Sequence, residues 1–236
     1  MADQVRHRDA PRMFGRMSFV HGDPARIDEL VEFVTWTVKP ATDCLAGNLG
    51  LGMWADRASG AALVMTVWTD EASLIASETS VTRLRDDGAA VMRGIATVER
   101  YETTLVDALS PHQVGNVMRM VRMACDPKDL DEHTRWTRDN VLPVMRRVPG
   151  YLSHVVAVHR GSGRAVSMST YRDGSDADIA YAATAPIRTA AVNRGITIDG
   201  VQQYEVALVG IRAGNVSGTA PVPTQRTIEL PSETRV

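Results

Sequence analysis

The sequence predicts an α+β fold of two ferredoxin-like βαββαβ repeats packed sheet to sheet within one chain. Three observations predict it. First, the chain repeats itself: laid on Arg119–Asp173, the segment Arg16–Asp70 matches at 16 of 55 positions without a gap, at an offset of 103 residues. Second, each half shows the same order of strand-like alternation and helical periodicity: strand, helix, strand, strand, helix, strand. Third, one such half leaves a sheet face exposed, and a second half can cover it. The 236 residues suffice for two such units with a proper core.

Each element has a local reason. The first strand covers about 14–21, or 117–124 in the second half. Asp23-Pro24 and Asp126-Pro127 then open a helix, because Asp caps free N–H groups and Pro suits the first turn. That helix runs to about 43, or 147. Two strands follow around "RASG" and "RGSG", where Gly60 and Gly163 permit tight hairpins. A second helix starts after Asp70 or Asp173, and "VERYETTLV" or "VQQYEVALV" forms the last strand. The repeats span 13–109 and 114–211. The tails, 1–12 and 212–236, are polar or rich in Pro, Ser, Thr and Gly, and read as poorly ordered or as surface arms. "NVS" at Asn215 is a glycosylation pattern without a secretory context.

Composition excludes several function classes. The hydrophobic fraction of 44% and charged fraction of 23% are those of a globular protein. A net charge of -2, with the charges spread out and no basic or acidic block, gives no footprint for nucleic acid; that only Lys39 and Lys128 of the basic residues are lysines reads as a GC-rich genome rather than a site. No apolar run approaches a membrane span, and "MADQVRHRDAPR" lacks the core of a signal peptide, so a cytoplasmic protein is expected. Cys44 and Cys125 form no CxxC pattern and are expected as buried free thiols. His154 and His159 fall on opposite faces of one strand, a poor metal pair, and no metal site is expected. "GSG" at Gly161–Gly163 is a turn rather than a phosphate loop, and no GxSxG nucleophile motif occurs. Trp36, Trp54, Trp68 and Trp136 are expected in core or interface.

The repeat also acts as an internal control. Features common to both halves, such as Asp-Pro, the Gly turns, Arg57/Arg160 and the Tyr-Glu pairs, read as structural. Features of one half alone point to a site. On the first helix, Leu30, Val31 and Val34 become His133, Thr134 and Thr137. On the strands, Phe19 becomes Arg122, Leu51 becomes His154 and Val64 becomes Ser167. Each lost Leu or Val burial forgoes roughly 1.5–3 kcal/mol, and an unsatisfied buried polar group costs about 1–3 kcal/mol. The six polar groups must therefore meet one another, water or a ligand. The first half reads as scaffold; the second reads as enclosing a polar-lined pocket between its sheet and helices. Against this stands a plain alternative: Thr can bond its own helix backbone, and the helix can turn Trp136 inward and His133 out.

"VPGYLSHVVAVHR" followed by "SMSTYRDGSDA" resembles the antibiotic-biosynthesis-monooxygenase domains of the dimeric α+β barrel superfamily, with a weaker version in "AGNLGLGMWADR" and "LVMTVWTDEAS". The resemblance covers about 13–211. Members usually dimerise; this chain would hold both halves in one polypeptide, with further homo-oligomerisation open. The resemblance implies cofactor-independent oxygenation of a small aromatic molecule, with His133 or His154 as base and Arg122 and Tyr171 holding an oxyanion. Thr134, Thr137 and Ser167 would complete the ligand site, and no cofactor is expected. The haem-degrading branch carries an Asn on the first strand and a Trp and a His on the second helix, and all three are missing here. The alternative is a small-molecule-binding or regulatory protein without catalysis, so the sequence leaves open whether the chain is an enzyme.

Overall fold

The computed structural model describes residues 12–211; the tail expectations and Asn215 lie outside them. In the first repeat, β1 (Met13–His21) ends at Asp23, whose carboxylate accepts the Ala25 N–H at 3.0 Å and starts the helical segment. That segment is not uniform. It comprises α1 (Ile27–Phe33), one π turn (Val34–Val38) and α2 (Lys39–Asp43). The sequence predicts a single regular helix over this stretch. Pro40 lacks an N–H and its ring would crowd the carbonyl one turn earlier, and the wider turn before it relieves that. The Lys39 N–H accordingly bonds the carbonyl of Val34, five residues back. β2 (Asn48–Asp56) and β3 (Ala61–Trp68) form the hairpin, α3 (Glu71–Ala76) and α4 (Glu78–Val91) the second helical segment, and β4 (Ile95–Ala108) the last strand.

The second repeat follows the same order: β5 (Val117–Ala124), α5 (Leu130–Trp136), a π turn (Thr137–Val141) before Pro143, and α6 (Leu142–Met145). Then come β6 (Tyr151–His159), β7 (Arg164–Tyr171), α7 (Gly174–Ala183), α8 (Ala185–Asn193) and β8 (Thr197–Leu208).

All eight strands close into one barrel in the order β1-β3-β2-β8-β5-β7-β6-β4. Each repeat contributes four neighbouring strands in ferredoxin-like order. Closure comes from the long last strands. β4 pairs with β1 along Ile95–Thr103 and with β6 along Glu102–Ala108. β8 likewise pairs with β5 and then, from Glu205 to Leu208, with β2. No sheet edge is left open, which removes a template for unwanted strand pairing.

Strand alternation then makes two kinds of core. One face of each sheet looks into the barrel, where Met17, Met65, Met118, Met120, Met168 and Trp54 pack. The other face lies under the helices, around Leu30 and Leu51 in the first repeat and Leu130 and Val156 in the second. Features common to both repeats stay at equivalent structural tasks: Arg57 pairs with Asp28 at 2.5 Å, and Arg160 with Asp131 at 3.1 Å. Two expectations need correction. Cys44 is exposed and Cys125 only half-buried, because both sit at element ends. Trp36 is 78% exposed, because the π turn carries it to the outer side of the helix.

Candidate functional site

The helices of the second repeat and the face of its sheet beneath them enclose a cavity of about 90 Å³. The helical segment supplies His133 and Thr137, which follow Leu130 at helical spacing on the buried face. β6 supplies His154, in line with Val156 and Val158 on the helix-facing side. β7 supplies Ser167, Ser169 and Tyr171 at alternate positions. The rim carries Trp136, Tyr181 and Arg188.

His154 is 1% exposed and held on both ring nitrogens: Nδ1 shares a hydrogen bond of 2.9 Å with Ser169 Oγ, and Nε2 one of 3.4 Å with Ser167 Oγ. Burial pulls its pKa down to about 4; the Asp107 charge opposes this and His133 adds to it. His133 is 7% exposed and lies against the Trp136 ring at 6.2 Å. Burial, with a smaller contribution from the Arg194 charge, lowers its pKa below the ordinary histidine value. Its Nε2 is buried and has no hydrogen-bond partner among the described residues. Burial pushes the Tyr171 hydroxyl up to about 12. Burial thus favours the neutral forms of His133, His154 and Tyr171, while Arg119 and Arg188 add two cations to the lining.

The first repeat holds the counterpart in shrunken form, about 40 Å³. Leu30, Val34 and Val64 stand there in place of His133, Thr137 and Ser167, and Trp68 stands in place of Tyr171. Trp68 is fully buried and its indole N–H donates to Thr66 Oγ1 at 3.0 Å. Arg16 closes the end of this space, donating to Ser77 Oγ at 2.9 Å, the Leu74 carbonyl at 2.6 Å and Glu78 Oε2 at 2.9 Å.

Burial would raise the Glu78 pKa, but the hydrogen bond from Arg100 and the charges of Arg16 and Arg100 outweigh it and hold the carboxyl at about 2. A depressed carboxyl contributes stability above its unfolded value that is lost as pH falls. Urea midpoints should therefore drop between about pH 4.5 and pH 2, and Glu78→Gln should flatten that drop while lowering the midpoint at pH 7. Parallel profiles for variant and wild type would contradict this.

Two expected site residues stand elsewhere. Thr134 is buried, but its hydroxyl donates to the Leu130 carbonyl at 3.0 Å and meets Thr104 Oγ1 at 3.0 Å. In the first repeat the equivalent pair is Val31 and Ala207, so Thr134 and Thr104 are polar together and satisfy each other. Arg122 faces the barrel interior instead, because Arg119, Val121 and Met123 take the helix-facing positions of β5. It donates to Glu99 Oε2 at 2.8 Å and lies 4.1 Å from the centroid of Phe19, its own repeat mate. The oxyanion pair of Arg122 and Tyr171 is therefore split.

Two cations stand at the cavity: Arg119 donates to the Ala177 carbonyl and Asp178 at 2.7 Å each and stacks at 4.8 Å from Tyr181. Arg188 lies 3.6 Å from the same ring. Sequence reasoning passed over Arg119 because Arg16 matches it. It also missed Asp107, which sits across from His154 on β4 and accepts from Arg146 at 3.0 Å and the Tyr151 hydroxyl at 2.7 Å.

Among the described residues no group of three or more His, Cys, Asp or Glu is placed to hold a metal ion, and no helix is long and apolar enough to cross a membrane. No family model matches the chain. Two uncharacterized proteins of Mycobacterium tuberculosis are similar in sequence. Rv2558 is 28% identical over 173 residues, 73% of each chain. Rv2557 is 27% identical over 165 residues, 70% of this chain and 73% of its own. Among solved structures, an anthrone oxidase-like protein superposes with a TM-score of 0.60 at 17% identity, over 85% of this chain and 92% of that one. A candidate monooxygenase of Fusobacterium nucleatum gives 0.57 at 13% identity, over 87% and 94%. With the eight-stranded closure and the repeated strand order, these likenesses show the fold: two ferredoxin-like βαββαβ units closed into one eight-stranded α+β barrel within a single polypeptide.

Proposed function

We propose that the cavity of the second repeat binds a small hydroxylated or enolisable aromatic molecule and promotes its cofactor-independent oxygenation. The observation that carries this reading is His133: a buried imidazole, its neutral form favoured by burial, whose Nε2 has no partner among the described residues, in a cavity that also receives His154, Ser167 and Tyr171. A buried nitrogen left unpaired costs about 1–3 kcal/mol, which a ligand hydroxyl would relieve. Trp136, Tyr171 and Tyr181 supply aromatic faces. The enclosed space is smaller than the ~150 Å³ cavity known to take up benzene. Only the acidic edge of a ring enters, and the remainder lies against Trp136 and Tyr181. Proton transfer to His133 leaves an electron-rich anion, which Tyr171 and the Arg119 side can stabilise. That anion is the electron donor to dioxygen. For an anthrone, the ring CH2 becomes a carbonyl and the second oxygen atom leaves as water.

A second reading, binding without turnover, is favoured by one observation. His154 has both nitrogens engaged and a pKa of about 4, far from the neutral range suited to a general base. An oxygen electrode separates the two. With anthrone as probe, protein-dependent oxygen uptake that disappears in His133→Leu supports oxygenation. Saturable anthrone binding without oxygen uptake supports the binding reading and rejects oxygenation.

A further inference from the structure

The geometry points to a second ligand site, inside the barrel and separate from the His133 cavity: a lumen that takes a neutral, largely hydrocarbon molecule bearing one hydroxyl or carbonyl group. The space measures about 240 Å³, against about 90 Å³ for the His133 cavity. Its walls include Met17, Met65, Met118, Met168, Trp54 and Val206. Methionine thioethers adapt to varied apolar shapes and favour aromatic contacts. Polar groups gather at one end, where His112 Nε2 and Ser153 Oγ share a hydrogen bond of 2.7 Å beside the buried Thr170.

Three features mark this space as more than a packing defect. The first is Gly15. Its repeat mate is Met118, yet a Cβ on Gly15 would meet nothing nearer than Met65 Sδ at 3.9 Å. No turn or close approach requires glycine there, and a void inside a barrel costs stability. The second is the asymmetry of the facing strand. Gly52 stands where the other repeat has Val155, and the Trp54 ring lies over it, 2.8 Å from where a Cβ would be. Trp54 is buried, and its indole N–H has no acceptor among the described residues.

Charge is the third feature, and it selects the ligand class. Among the described residues, no Asp, Glu, Lys or Arg lines the space. Arg122, Glu99, Tyr101 and Arg164, further along the barrel interior and its rim, are paired among themselves. Burial lowers the pKa of His112, which favours its neutral form. An ionised carboxylate or amine would enter without a counter-charge. By volume, against the ~150 Å³ that holds benzene, a bicyclic ring or a chain of roughly ten carbons fits.

The test titrates the full chain, labelled with 13C at the methionine methyls, with 2-naphthol, naphthalene and 2-naphthoate. 2-Naphthol should shift the Met17, Met65, Met118 and Met168 methyl signals saturably. It should bind roughly three- to tenfold tighter than naphthalene, with the difference lost in Ser153→Ala. Gly15→Met copies the other repeat; it should weaken binding at least about tenfold, by filling the space, and leave the melting temperature equal or higher. His133→Leu with Thr137→Val should leave the 2-naphthol titration of these four lumen methyls unchanged, whatever it does to binding in the other cavity, which keeps this site distinct from the proposed oxygenation site. Absence of lumen methyl shifts in the wild type overturns the inference, and so does undiminished binding in Gly15→Met. Loss of the lumen methyl shifts in the His133/Thr137 variant makes them a secondary effect of the other cavity and also overturns it. Equal affinity for 2-naphthoate refutes the neutral-ligand assignment. If Gly15→Met fails to fold, the wild-type methyl shifts decide.

Discussion

Gly163→Val should lower the denaturation midpoint sharply, with Gly60→Val close behind. Both glycines close hairpins at φ +72, a region costly for any residue with a Cβ and most costly for a β-branched one. Space is the larger problem. A Cβ at Gly163 would lie 1.9 Å from the Cys125 carbonyl oxygen, and one at Gly60 would lie 2.2 Å from that of Gly22. Neither carbonyl can withdraw freely. The Cys125 N–H donates to the Gly163 carbonyl at 3.0 Å, and the Gly22 N–H to the Gly60 carbonyl at 3.0 Å, so hairpin and helix entry are tied together. Strain of about 1–3 kcal/mol adds to a lost buried hydrogen bond of about 1–3 kcal/mol. That is a large share of a total stability of about 5–15 kcal/mol. Urea titration checks it, with Gly200→Ala as control, since nothing lies within 4 Å of a Cβ there. Unchanged midpoints in both valine variants would show that neither hairpin depends on its glycine.

These turns were legible because local chemistry alone demands them, and the same holds for the Asp caps at Asp23, Asp70, Asp126 and Asp173. From the alternation of the strands alone, closure was legible only as sheet-to-sheet packing; the family resemblance implied the barrel, and the strands close into one. Whether β4 outruns β1 to reach β6 depends on strand length and tilt, which alternation does not encode. The π turns escaped notice for a related reason. Pro40 and Pro143 signal trouble in a helix, but the widened turn is one of several responses to it. At the site, comparing the halves drew attention to His133, Thr137, His154 and Ser167, which share one cavity. The same comparison discarded Arg119, because Arg16 has the same identity. Their surroundings differ: Arg16 meets the Glu78 carboxylate, whereas Arg119 stacks on Tyr181, the residue 103 positions later. Identity of a residue pair therefore does not establish identity of task. Thr134 shows the converse, since it differs from Val31 only because Thr104 differs from Ala207.

His133→Leu with Thr137→Val should raise stability and abolish ligand binding in the second-repeat cavity. The pair copies Leu30 and Val34, which pack tightly at the equivalent places. Leucine removes a buried nitrogen without a partner, worth about 1–3 kcal/mol, and each added apolar burial contributes on the order of 1 kcal/mol. Against this, the cavity is about 90 Å³ rather than 40 Å³, so the new side chains fill it incompletely. A net gain of roughly 1–2 kcal/mol is expected, seen as a higher urea midpoint. Adding Thr134→Val should reverse part of that gain, because Thr104 then loses its partner at 3.0 Å. The pH profile gives a further check. His154 has a folded pKa of about 4, below its unfolded value of 6.5, so the unfolded chain binds more protons as pH falls between these values. Stability should therefore decline from about pH 6.5 to pH 4. Removing His133, whose own depressed pKa adds to the effect, should make that decline shallower. If the double variant is less stable than wild type at pH 7 and still binds anthrone, the polar lining serves the fold, and the proposed site fails.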